Sequence, residues 1–109
     1  MAELPKSASR ALDRAVAGLK TYGAEKVILF GSWARGDASR QSDLDLVVIK
    51  PTSASFVQRS VDASVYIHWP RSVDIFVYTP EEWQTMVDNG SSFAKNVVQE
   101  GIVLYEKAS

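Results

Sequence analysis

A chain of 109 residues with 46% apolar and 23% charged side chains has the size and balance of one folded domain with its own core, not of a disordered tail. Twelve basic against thirteen acidic residues leave a formal charge of -1, so no overall field draws it to duplex DNA or an anionic membrane, and a polyanion must be held locally. The lack of cysteine excludes disulfides, thiolate zinc sites and thiol nucleophiles, and with His68 the only histidine, the metal chemistry left open is a hard cation on oxygen ligands. The opening MAELPKSASR lacks the apolar stretch of a secretion signal, and no run nears the roughly 18 apolar residues of a membrane span, so a cytoplasmic protein is expected.

In chain order, Leu4, Ala8, Ala11, Leu12, Ala15, Val16 and Leu19 recur at three- and four-residue steps and predict an amphipathic helix stopped by Gly23. Val27 to Phe30 reads as a buried strand ended by Gly31, after which Ser32 is placed to cap a short helix through Trp33, Ala34 and Arg35. A polar stretch, Gly36 to Ser42, leads to a second strand, Asp43 to Ile49, closed by Pro51. Phe56, Val57, Val61 and Val65 fit a helix with Gln58, Arg59 and Asp62 between them, and Trp69, Pro70 and Arg71 turn into a third strand, Val73 to Tyr78. Strand, helix, strand implies a crossover with the two strands parallel. Thr79, Pro80 and Glu82 start another helix whose expected buried stripe is Trp83, Met86 and Val87, ended by Gly90. Phe93, Val97 and Val98 mark a last helix up to Gly101, and Ile102 to Tyr105 a last strand. With no internal repeat and no linker, residues 1–109 read as one α/β (α+β) domain, a small mixed sheet flanked by helices.

The chemistry concentrates in Gly31-Ser32, ten intervening residues, and Asp43-Leu44-Asp45. Positions two apart on a strand face the same way, so Asp43 and Asp45 are expected to project together while Leu44, Leu46 and Val48 face the core. Asp74, out of phase with Val73, Ile75 and Val77, is expected to join them if the two strands are neighbours. Converging carboxylates disfavour joint ionisation unless a cation offsets them. Three of them suit Mg²⁺, and two ions roughly 3.5 to 4 Å apart serve phosphoryl chemistry. Gly31 lets the backbone approach a phosphate, Ser32 and the following amides open a helix start, and Arg35 and Arg40 are placed to offset phosphate charge.

The stretch GSWARGDASRQSDLDLVVI resembles the signature of the minimal nucleotidyltransferases, small relatives of the DNA polymerase beta superfamily, and the likeness continues through VDIFVYTPEEW and GIVLYE. The resemblance implies a polymerase beta palm-like fold, a triphosphate held at Gly31 and Ser32, with Ser42 in the same motif, and Asp43, Asp45 and Asp74 as ligands of two Mg²⁺ (or Mn²⁺) ions and as the catalytic carboxylates. It also implies transfer of adenylate from ATP to a hydroxyl, with Asp74 helping to deprotonate the acceptor. Standalone members of that family are often paired with a helical HEPN-class toxin ribonuclease (higher eukaryotes and prokaryotes nucleotide-binding), and some adenylylate a tyrosine on it as its antitoxin. A partner of that kind or a second copy of the chain is therefore expected to supply acceptor choice.

Plainer readings exist for each residue. Asp43 could cap a turn and Asp74 be a surface acid, but Asp45 lies inside a strand, where aspartate is disfavoured. Gly31 and Ser32 could form only a turn and cap, and Arg35 and Arg40 only surface cations. His68 and the tryptophans Trp33, Trp69 and Trp83 read as structural. The competing function is a non-catalytic antitoxin module that binds nucleotide or toxin on the same fold. A small-molecule transferase is weakened by the absence of an acceptor domain.

Overall fold

The computed structural model describes residues 6–38, 43–69 and 72–108, with side chains from residue 10 onward. Leu4, Arg40, Ser42, Pro70 and Arg71, together with the side chain of Ala8, lie outside that description.

Helix α1 (Lys6–Tyr22) ends where the sequence puts its glycine. Gly23 takes φ 108, and the Gly23 and Ala24 N–H groups donate back to Lys20 O at 3.0 Å and Leu19 O at 2.9 Å, a Schellman closure. Then follow β1 (Lys26–Phe30), the short α2 (Ser32–Arg35), β2 (Leu44–Ile49), α3 (Phe56–Ser64), β3 (Val73–Tyr78), α4 (Pro80–Asp88), α5 (Ser92–Glu100) and β4 (Ile102–Glu106). The four strands form one sheet in the order β3-β2-β1-β4, with β2 and β3 parallel and the other pairs antiparallel. The expected parallel crossover through α3 is present.

Both faces of the sheet are covered. Leu12, Ala15 and Leu19 of α1 and Ala63 of α3 pack with Val27, Leu29, Leu44, Leu46, Val48, Ile75 and Val77 on one face. Trp83 of α4 and Ala94 and Val97 of α5 pack with Ile28, Val47 and Ile49 on the other. The central β2 is therefore buried on both sides, as its unbroken Leu-Val-Val-Ile run after Asp45 requires. Trp33 and Trp69 meet edge to face at 5.7 Å and pack against the first layer, and Trp83 is buried in the second, so the tryptophans are structural as read. His68 is exposed.

Four helices depart from the expected faces or caps. Gly31, not Ser32, is the N-cap of α2, so Ser32 stands inside the first turn. In α4 and α5, Val87 and Val98 are 39% and 60% exposed, leaving Trp83, Ala94 and Val97 to anchor the two helices. The largest difference is in α3. Its helix forms where predicted, capped by Ser55 accepting from Gln58 N–H, but Phe56, Val57, Val61 and Val65 are 43%, 73%, 54% and 71% exposed while Arg59 is buried. The reason lies at the sheet edge. β3 is an edge strand with outward carbonyls, and α3 satisfies two of them: Ser60 Oγ donates to Ile75 O at 2.8 Å and Arg59 Nη1 to Val77 O at 3.3 Å. Arg59 also makes a forked ion pair with Glu82, at 2.6 Å to Oε1 and 3.3 Å to Oε2. Glu82 is also the far half of the Thr79 capping box, so one carboxylate starts α4 and ties it to α3.

Candidate active site

The site grows from the start of β2. Asp45 is registered with Asp74 across the parallel β2/β3 pair and with Phe30 across the antiparallel β1/β2 pair, so all three share one sheet face. That face is the one covered by α4 and α5, because Asp45 alternates with Val47 and Ile49, and Asp74 with Phe76 and Tyr78. Leu44, Leu46 and Val48 face the core as expected, and the carboxylates terminate a second apolar face instead of occupying a solvated one. Directly behind them, Phe30, Phe76 and Phe93 close into an aromatic cluster with ring centroids 5.4 to 5.9 Å apart. Strand and helix period place Phe30, Phe76 and Phe93 in their elements but do not mark them as part of the site; the one local signal is that Phe30 lies directly before the Gly-Ser pair.

The electrostatics follow from that placement. Asp45 is half-buried, and burial, the adjacent Asp74 charge and the hydrogen bond between the two carboxyls push its pKa from 3.8 up to about 6. Asp43 adds to the repulsion, and the Arg35 guanidinium partly offsets it. Asp43 and Asp74 are both exposed, Asp43 sitting one residue before the strand. The structure therefore brings Asp45 and Asp74 into contact and leaves Asp43 interacting through its field. Among the described residues, no three acids stand close enough to form a ready cation cage. Arg35 lies within electrostatic reach of the acids, while its own ion pairs are to Asp37 at 3.4 Å and Glu100 at 3.9 Å on the surface. Arg40 and Ser42 fall outside the described residues.

Gly31 completes the arrangement for a steric reason. It takes φ 75, and a Cβ built on it would collide with Asp45 Oδ2 and stand 3.1 Å from Asp45 Cγ. The strand-to-helix turn is therefore pressed against the central carboxylate. Gly31→Ala is expected to displace Asp45, with a strain cost on the order of 1 to 3 kcal/mol. A melting temperature and a nucleotide titration of the variant measure both effects, and unaltered nucleotide affinity would mean that the turn and the acid are not one unit.

The model of the polymerase beta nucleotidyltransferase domain matches residues 17–109, which contain the C-terminal end of α1 and every later element through β4. The chain belongs to this nucleotidyltransferase family. It is 31% identical over 81 residues to a candidate protein adenylyltransferase of Methanocaldococcus jannaschii, a match covering 74% of this chain and 78% of that protein. The crystal structure of a candidate nucleotidyltransferase from Sulfolobus solfataricus shares the fold, with a TM-score of 0.55 at 22% identity over 94% of this chain and 90% of the other. The mixed sheet and flanking helices of this nucleotidyltransferase are those the sequence resemblance implied. Among the described residues no helix is long and apolar enough to cross a membrane.

Proposed function

We propose that this nucleotidyltransferase moves adenylate from ATP to a hydroxyl group of a partner protein, a tyrosine of a HEPN-class toxin encoded beside it, with Asp43, Asp45 and Asp74 as the catalytic carboxylates. The observation that carries the reading is the Asp45 and Asp74 pair, in hydrogen-bond contact and pressed by the Gly31 turn. Two carboxyls so placed need either a proton or a cation between them, and their oxygens suit Mg²⁺ or Mn²⁺. The resemblance to a candidate protein adenylyltransferase supports a protein acceptor.

Asp45 and Asp74 would hold the shared ion or ions, and Asp43 would turn in from the end of β2 as the third ligand. Two such ions supply neutralisation of phosphate charge and activation of the attacking and leaving oxygens. The chain's own groups do the rest. The Gly31 turn admits the triphosphate close to the backbone, the Ser32 hydroxyl donates to it, and Arg35 adds positive charge. The acceptor oxygen bonds to the α-phosphorus, the bond to pyrophosphate breaks, and the Asp74 carboxylate, which is exposed, would take the hydroxyl proton. The aromatic cluster excludes water from behind the acids, which strengthens each charge interaction in front of them.

Intact-mass spectrometry tests the proposal. The protein, the product of the adjacent reading frame, ATP and Mg²⁺ are expected to give a partner heavier by one adenylate. A stable complex that never gains the adduct would leave a non-catalytic binding module as the function. Ser32→Ala is expected to weaken nucleotide binding about ten- to a hundredfold, the cost of one hydrogen bond to a charged group, and to spare metal binding. Calorimetric titration of nucleotide reads the loss, and an unchanged dissociation constant would remove Ser32 from the phosphate site.

A further inference from the structure

We infer that the outward face of α3 is a docking surface for a cationic amphipathic helix of the acceptor protein. Val57, Val61 and Val65 stand at successive four-residue steps and are 73%, 54% and 71% exposed, on the side of the helix away from the buried Arg59 and Ala63. A helix that turns its arginine inward and three valines outward is the reverse of a solvated helix. The stripe spans about 12 Å, two turns, which matches the ridge that a second helix packs against. At its N-terminal end lies an open cleft of about 470 Å³ formed by Phe56, Tyr78, Glu81, Glu82, Thr85 and Met86, a seat for one large apolar side chain.

Charge selects the occupant. Arg59, the sole cation of α3, is engaged by Glu82, so the charge that α3 presents outward is Asp62, and Glu81 stands exposed on the cleft. The last turn of α3 holds no basic residue to offset the negative end of its dipole. Asp62 and Glu81 border the apolar residues, with Lys50 set behind Tyr66 over the Tyr22 ring, so the complement of the stripe and cleft is an apolar face flanked by lysine or arginine on the sides that meet the two acids. A second copy of this chain would bring Asp62 and Glu81 again. Phe56, Val57, Val61, Val65 and Tyr66, the exposed large apolar residues of the segment, also fall far short of the roughly 20 to 30 residues a side of a stable dimer. A contact of that size suits a partner that docks and leaves. α3 runs back between the parallel strands β2 and β3, so Val65 and Tyr66 lie toward the end of the sheet that carries Asp45 and Asp74, with α3 covering the sheet face opposite to the one those carboxylates share. That the occupant is the acceptor rests on the transfer reading; that a helix binds does not.

The test uses the whole protein without ATP or metal. Methyl NMR follows a titration with a stapled synthetic helix of about three turns, leucine along one face and lysine on its flanks, against an isomer of equal composition with the leucines scattered. Shifts are expected at Val57, Val61, Val65 and Met86 with the ordered helix, and affinity is expected to fall at least tenfold in the triple variant Val57→Ala, Val61→Ala, Val65→Ala. Those alanines favour the helix, so its fold is kept. Equal binding of the scrambled peptide, shifts centred elsewhere, or an unaffected triple variant would overturn the assignment. So would a wild-type dimer in sedimentation that Val61→Glu dissolves, which would give the face to a second copy. Because no nucleotide is present, docking and transfer fail separately.

Discussion

Asp45→Asn is expected to abolish adenylate transfer while making the metal-free protein more stable at neutral pH. Asparagine keeps the shape of the side chain but removes the negative charge that would hold a cation in the proposed site, so transfer should fall at least about a hundredfold, the cost typical of losing one preorganised electrostatic group. The gain in stability has the opposite origin. Asp45 titrates at about 6 in the folded protein against its ordinary 3.8, because burial and Asp74 disfavour its charge. The folded state therefore holds the proton more tightly than the unfolded one. Stability is lost as pH rises from 3.8 to about 6 and stays lower above it. The variant escapes that loss. Thermal melts in chelator should show it several degrees above wild type at pH 7.5 and level with it near pH 4. A variant that is less stable at pH 7.5 would mean that the acid pair is not repulsive, and one that still labels its partner would remove Asp45 from the chemistry.

Glu82→Ala is expected to produce a large loss of stability for a change at a half-exposed side chain. It leaves the buried Arg59 guanidinium without its counter-ion and removes one half of the α4 capping box. Breaking a buried pair by deleting one partner costs roughly 3 to 5 kcal/mol. The Glu82 side chain is 46% exposed, so water takes up part of the loss, and about 2 to 3 kcal/mol remains. For a domain of this size that is on the order of 10 °C in melting temperature. The pH dependence runs the other way from that of Asp45. Hydrogen bonds from Arg59 and the backbone of Thr79 hold the Glu82 carboxyl below its ordinary 4.5, so its contribution is full above 4.5 and is lost as pH falls through the folded value. Wild type and variant should converge in acid. A gap that persists unchanged below pH 3 would assign the effect to packing and not to the ion pair.

The geometry of the candidate site was legible in part because its signals are local. The Gly31 turn and the phases of Asp45 and Asp74 are properties of backbone freedom and strand period, and each element forms within a residue or two of where those properties put it, while Asp43 falls just outside β2 and beyond the reach of the same-face rule. The parallel pairing that sets Asp45 beside Asp74 followed from the order strand, helix, strand. What the tertiary structure decided is which faces are covered. The same-face rule could not say that α4 and α5 bury the side of β2 that carries Asp45, and that burial is what raises its pKa. Nor could the period of α3 say which side turns inward. Its valines predict an apolar face toward the core, yet Arg59 takes that side because Glu82, 23 residues away, and the open carbonyl of Val77 are waiting for it. Periodicity reports that a helix has two sides; only the charges and unpaired carbonyls brought near by the rest of the chain determine which of the two is worth burying.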